Sequence, residues 1–283
     1  MAGSGNQERE GSGRGFLEEL VRAHGDALYR IARSLTGNSE DAQDLVQETF
    51  LRAWRYHRAF RSDGNPRAWL FKILHNLYID EKRREHRGAR AIPDESVQIQ
   101  DFYLYRQALD SDHLRLAGDP EAIVLERLLD EDIQHALDSL AEHYRTPFLL
   151  CTLEGLSYKE VAEILGVPVG TVMSRVHRAR TILQQHLWDY FITRFPQYAP
   201  QGAGFPEVPP ECADACRAIS AYLDRELDPG TLRIVQGHLN ACRRCCDQLV
   251  FERRLRAVIR ERLRRQRLPR ALKHRLRKIV SLL

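Results

Sequence analysis

Apolar residues recur at three- and four-residue steps through nearly all of this 283-residue chain, and no two alternating segments offer themselves as paired strands. That period gathers the apolar side chains of each segment on one helical face, so the chain reads as all-α. Two stretches interrupt the pattern. Residues 88–120 are poorly patterned, with Pro93 and Gly118 as breakers. FPQYAPQGAGFPEVPPE (195–211) holds five prolines in seventeen residues and cannot sustain a helix or a central strand. The organisation expected is a disordered tail at 1–15, a helical domain at 16–87, a linker at 88–120, a second helical domain at 121–193, a Pro-rich linker at 194–210 and a C-terminal domain at 211–283.

No run approaches the roughly 18 consecutive apolar residues of a membrane span. The opening MAGSGNQEREGSGRG lacks the apolar stretch of a signal peptide, so a cytoplasmic location without membrane contact is expected. Six cysteines in such a chain argue against a disulfide framework. Five of them fall between 212 and 246, which favours metal or redox chemistry. The net charge is only +4, yet Glu252–Leu283 carries thirteen Lys/Arg against two Glu. That run is either a solvated helix face or a surface for nucleic acid or an acidic partner.

In DAQDLVQETFLRAW (41–54), Ala42, Leu45, Val46, Thr49, Ala53 and Trp54 form one buried stripe. Asp41, Asp44 and Glu48 share another face, either solvated or docking a basic partner. NPRAWLFKILHNLYIDEKRRE (65–85) opens with Asn65 as N-cap and Pro66 in the first turn. Basic residues beside Trp69, Phe71 and Tyr78 suit an unpaired nucleic-acid strand, with phosphates on cations and a flipped base in an aromatic pocket. Phe71 is expected in the core; spacing leaves Trp69 and Tyr78 open.

LSYKEVAEILGVPVGTVMSRVHRAR (156–180) reads as a helix-turn-helix. Ser157 and Glu160 fit a capping box, Gly166 a permissive turn, and Pro168 the start of the second helix. In that helix Val172, Val176, Ala179 and Leu183 should be buried. Thr171, Ser174, Arg175 and Arg178 should face out, as major-groove reading requires. Cys151 lies in an apolar run and reads as core.

Cys212, His238, Cys242 and Cys245 suggest a tetrahedral Cys3His site for one Zn2+, whose soft thiolates and imidazole would close the shell. Such a shell has no open position for substrate, and no nucleophile–base pair is legible, so no enzyme activity is expected.

Taken together, DAQDLVQETFLRAW and NPRAWLFKILHNLYIDEKRR resemble the second region of extracytoplasmic-function (ECF) sigma factors, small members of the sigma-70 family. Residues 121–190 resemble the fourth region of the same family. The resemblance implies that Asp41, Asp44, Gln47 and Glu48 help bind core bacterial RNA polymerase. It implies that Phe60–Asn65, Arg67, Trp69, Lys72, Asn76, Asp80, Arg83 and Arg84 capture the minus-ten promoter element. The helix-turn-helix would then bind the minus-thirty-five element, and 88–120 would be the linker that threads through polymerase.

Residues 211–263 resemble the zinc-associated anti-sigma fold, through Cys212, Tyr222-Leu223-Asp224, Glu226-Leu227 and His238-x3-Cys242-x2-Cys245. That resemblance implies Cys212, rather than Cys216, as the fourth ligand. Cys216 and Cys246 depart from the pattern and could be inert, replacement ligands or redox partners. The expectation is a promoter-directing sigma factor restrained in cis by intramolecular contact with its own zinc domain, in response to redox or metal. The alternative is a zinc domain that is a structural or recruiting module. The basic C-terminal helices, broken near Pro269, are expected to pack on the sigma domains or to touch nucleic acid.

Overall fold

The computed structural model describes residues 4–60, 64–85, 104, 108–109, 111–199 and 209–282. All regular structure among them is helical. Two compact units emerge, one from residues 1–95, 160–167 and 263–283, the other from 96–159 and 168–262.

In the first unit, α1 (Ser4–Thr36), α2 (Ser39–Arg55) and α3 (Pro66–Glu85) pack together. Gly37, at φ +74°, closes α1, and Asn38 caps α2 by accepting the Asp41 N–H at 2.9 Å. The buried stripe of α2 is Ala42, Leu45, Val46, Thr49 and Ala53 as expected, with Phe50 added and Trp54 left half-buried. Asn65 caps α3, its side-chain oxygen taking the N–H groups of Arg67 (3.0 Å) and Ala68 (3.2 Å).

The stretch expected to be a tail is helical from Ser4 onward. It contains no proline, and adding turns to a formed helix avoids the cost of nucleation.

The last helix of the chain, α13 (Arg270–Leu282), also belongs to this unit and lies against α1 and α2. Leu268, Leu272 and Leu276 are buried. Asp26 accepts from the Leu268 backbone N–H at 3.1 Å and from Arg267 at 3.2 Å. Gly25 makes room for this approach, since a Cβ there would lie 3.2 Å from the Leu268 side chain.

The second unit begins with α4 (Asp112–Ala117), capped by Ser111, and α5 (Pro120–Arg127). Residues 111–120 of the expected linker are therefore largely helical; the rest of it falls mostly outside the described residues. Then come α6 (Asp130–Asp138), α7 (Glu142–Thr152), α8 (Tyr158–Leu165) and α9 (Val169–Arg194). From Glu160 onward α8 groups with the first unit.

Residues 194–199 of the expected Pro-rich linker are described, and 200–208 lie outside the described residues. Pro196–Tyr198 forms a 3-10 turn, and Tyr198 and Phe195 join Phe191 in an aromatic cluster under the Arg127 guanidinium. The C-terminal domain is α10 (Ala213–Asp224), α11 (Pro229–Ala241) and α12 (Arg243–Arg264). Cys212, Cys216, Ile219, Val235, Leu239, Cys245 and Leu249 make its core.

Candidate nucleic-acid interface and metal centre

On α2, Asp41 and Asp44 are exposed, and Gln47 and Glu48 are half-buried. Glu48 pairs with Arg52 at 3.3 Å. From α13, Arg275 donates to the Gln43 side chain on the same helix at 3.1 Å.

On α3, Phe71 is core as expected. Tyr78 is core as well: it is 4% exposed and its hydroxyl donates to the Leu35 carbonyl. Trp69 is half-buried and leans on Phe60 at 4.8 Å, which in turn stacks on Phe16 at 5.5 Å. Lys72, Asn76, Arg83 and Arg84 are exposed, while Arg67 sits over the Phe71 ring at 5.7 Å. Phe60, Asn65, Trp69 and Lys72 line an open cavity of about 310 Å3, and Glu163 and Ile164 of α8 belong to its lining. Burial pulls His75 down to about 4, so this imidazole is neutral at physiological pH.

The two helices and the turn of the expected helix-turn-helix are present as α8, Gly166 and α9. Gly155 (φ +68°) ends α7, and Gly166 (φ +67°) makes the turn after α8. Pro168 is the N-cap of α9, at the start of its first turn. Val172, Val176, Ala179 and Leu183 are fully buried. Ser174 is exposed and Thr171, Arg175 and Arg178 are half-buried, and Val169 and Met173 of the same helix are exposed as well. Arg178 donates to the Tyr144 hydroxyl at 3.4 Å. Cys151 is core, its thiol pushed up to about 12 by burial.

A second polar cluster in this unit escaped sequence reasoning. Asp224, at the end of α10, meets Arg180 of α9 in two contacts of 3.0 and 2.8 Å and Arg256 of α12 at 2.8 Å. It also accepts from the Tyr158 hydroxyl. Burial alone would raise this carboxyl, but the two guanidiniums and the phenol hold it below the usual carboxylate range. Arg256, desolvated and facing Arg180, falls to about 10. Glu226 accepts the Tyr158 backbone N–H at 2.9 Å, supplying a partner for the first turn of α8. Gln184 donates to buried Glu252 at 2.8 Å and accepts the Leu104 N–H at 3.0 Å. Arg180 carried no distinguishing signal in the sequence, because it lies one position from the buried stripe of a helix rich in arginine.

Cys212, His238, Cys242 and Cys245 converge, with their donor atoms all within 4.8 Å of one another. Cys212 sits at the entry to α10, and His238 and Cys242 at the end of α11. Cys245 is in the first turn of α12. The Cys212–Cys242 sulfur separation is 3.9 Å, against about 3.8 Å for two sulfurs on one tetrahedral zinc with bonds of about 2.3 Å. His238 Nε2 lies 3.3 Å from the Cys245 sulfur. The Cys245 backbone N–H lowers the Cys242 thiol toward the thiolate that a metal needs, whereas burial raises Cys212 and Cys245. Donor set and spacing thus fit Zn2+. Cys216 stays outside the four, buried, 3.9 Å from Cys245 and donating to Gln248. Cys246 is exposed.

Comparison with known proteins gives three family matches along the chain. Residues 20–88 match the family described as Sigma-70 region 2, 130–183 match Sigma-70, region 4, and 212–246 match "Putative zinc-finger". The chain is 40% identical over 173 residues to ECF RNA polymerase sigma factor SigE of Mycolicibacterium smegmatis, covering 60% of this chain and 61% of that protein. It is 32% identical over 171 residues to ECF RNA polymerase sigma factor SigW of Bacillus subtilis, covering 60% of this chain and 88% of that one. A solved complex of the sigma factor RpoE with the anti-sigma factor NepR from Bartonella quintana matches at 28% identity and a TM-score of 0.44, over 62% of this chain and 97% of that chain.

Proposed function

The chain belongs to the ECF sigma factors of the sigma-70 family, and from that premise we propose that its C-terminal zinc domain restrains its promoter-directing activity in cis. As a sigma factor it carries no bond-making chemistry; RNA synthesis is the polymerase's. In this reading α2 docks on core polymerase through Asp41, Asp44, Gln47 and Glu48. The α3 residues Arg67, Trp69, Lys72, Asn76, Arg83 and Arg84 hold the minus-ten strand. Thr171, Ser174, Arg175 and Arg178 read the minus-thirty-five element, and the site of action is the cytoplasm.

The observation that carries the cis reading is the Asp224 cluster. One carboxylate of the zinc domain engages Arg180 and Tyr158, both in the helix-turn-helix, with Arg256 completing the set. A tethered domain works at an effective concentration of about millimolar, so contacts too weak to bind in trans suffice in cis. The α13 helix adds a second hold, because Arg275 reaches the helix assigned to polymerase docking. Cys212, His238, Cys242 and Cys245 would hold one Zn2+, which would cross-link the start of α10, the end of α11 and the start of α12.

Run-off transcription with bacterial core polymerase tests this, comparing the full chain with its Asp224→Asn variant. Cis restraint requires the variant to transcribe more strongly. Equal or weaker transcription, with zinc content and helicity unchanged, makes the zinc domain a structural or recruiting module.

A further inference from the structure

We infer that the first helix of the helix-turn-helix is itself an occluding element, its acidic edge closing the pocket in which α3 would hold a promoter base. This rests on the reading of Trp69 and Lys72 as strand-capturing residues, and it concerns a different part of the chain from the zinc domain.

The pocket is built for a flat ring with a phosphate beside it. Trp69 and Phe60 provide aromatic faces, and Phe60 is backed by Phe16, so the platform is fixed on two sides. Asn65 brings an amide to one edge and exposed Lys72 a cation to another. A cavity of about 310 Å3 admits one nucleobase with its sugar partly outside.

In this structure α8 contributes Glu163 and Ile164 to the cavity lining. Glu160 accepts from the Asn65 side-chain amide at 2.9 Å, using a donor that a base edge or phosphate would otherwise use. Glu163 and Ile164 line the same cavity as Lys72 and Trp69, so a carboxylate and an aliphatic side chain share it with the cation and the indole. A carboxylate presents oxygen acceptors to the same donors as a phosphate does. α8 therefore stands in for the strand in charge, in acceptor chemistry and in position. Its amphipathic pattern permits this: Val161, Ala162 and Ile164 are buried, while Glu163 is exposed and Glu160 partly so. Loading the pocket with a strand then requires α8 to leave it.

The test uses the full chain and a fluorescently labelled single-stranded oligonucleotide carrying a promoter non-template sequence, read by anisotropy at fixed salt. Glu160→Gln with Glu163→Gln should raise affinity for the single strand about tenfold, with a smaller rise for duplex DNA of equal length. Adding Trp69→Ala should abolish the gain. No rise, or an equal rise for duplex, or a rise that survives Trp69→Ala, overturns the occlusion, because the effect would then be general removal of negative charge. Trp69→Ala in the otherwise unchanged chain, assayed by transcription with core polymerase, separates the two readings. If it transcribes normally, the strand-capture assignment is wrong. If it is defective while the double Gln variant binds no better, the occlusion alone is wrong.

Discussion

Replacing Asp224 by Ala gives the sharpest test of how the zinc domain is held. Asp224 is one anion shared by two guanidiniums and a phenol, with the carboxylate 15% exposed and Arg180 5% exposed. Removing one member of a buried ionic set costs about 3–5 kcal/mol, mostly because the remaining charges stay buried without compensation. Arg180 and Arg256 already oppose each other, so the loss falls on both. At 1.4 kcal/mol per tenfold, a cost of about 3 kcal/mol shifts the closed-to-open ratio by roughly a hundredfold. Run-off transcription by the full chain with core polymerase should rise toward that of a freely open sigma factor. Replacing Asp224, Arg180 and Arg256 together by apolar residues of similar volume should restore closure, since apolar packing can equal a buried ion pair. Unchanged transcription in the Asp224→Ala chain, with amide exchange in α9 and α10 equally unchanged, would refute the argument.

Three further outcomes follow from other residues. His75, at about 4 in the folded chain against 6.5 in the unfolded one, binds its proton more readily when unfolded, so the stability it contributes is complete above pH 6.5 and is lost as pH falls toward 4. The loss amounts to about 3 kcal/mol, and urea titrations from pH 7.5 to 5 should show a shallower pH slope in His75→Gln; identical slopes contradict this. Chelation should remove one Zn2+ per chain and raise amide exchange across 212–249, and Cys216→Ser should leave that stoichiometry at one; loss of zinc from Cys216→Ser would make it a ligand. Gly155→Ala, at φ +68°, should lower stability by about 1–2 kcal/mol without changing zinc content, and a neutral effect in thermal unfolding would mean the turn relaxes.

What the sequence made legible was local. The α2 stripe, the Asn65 cap, the Gly166 turn and the divided faces of α9 each depend on residues within a few turns, where helical period alone decides the face. The convergence of Cys212, His238, Cys242 and Cys245 was legible because two of their three spacings are short and the residue types are unusual. The parts that escaped depend on long separations. Tyr78 could not be assigned until Leu35, forty-three residues away, was seen to accept its hydroxyl. Arg180 and Asp224 are forty-four residues apart and Gln184 and Glu252 sixty-eight, and nothing in a one-dimensional pattern pairs a particular arginine with a particular aspartate. Composition also misled at the tail, where glycine and serine suggested disorder although α1 extends back to Ser4.

The linker boundary decides where the sigma portion can be cut, and here composition and packing disagree. A cut at Tyr190, just before the prolines begin, would discard Phe191, Arg194, Phe195 and Tyr198. Phe191 is 2% exposed, and losing a buried phenylalanine costs about 3–5 kcal/mol. Arg194 makes two 2.8 Å bonds to Asp132, whose carboxylate also caps α6 through the Leu129 N–H. Burial would raise Asp132, but Arg194 and that N–H hold it down, so removing Arg194 strips the cap of its counter-charge. Phe195 and Tyr198 carry the Arg127 guanidinium, tying α5 to the end of α9. A chain ending at Ala199 should therefore unfold cooperatively in urea with the helix-turn-helix intact, whereas one ending at Tyr190 should unfold several kcal/mol earlier. If the shorter chain is equally stable, the aromatic cluster is decoration and the linker does begin at 194. If it is less stable, weak transcription by such a truncation reports a damaged helix-turn-helix and says nothing about the zinc domain.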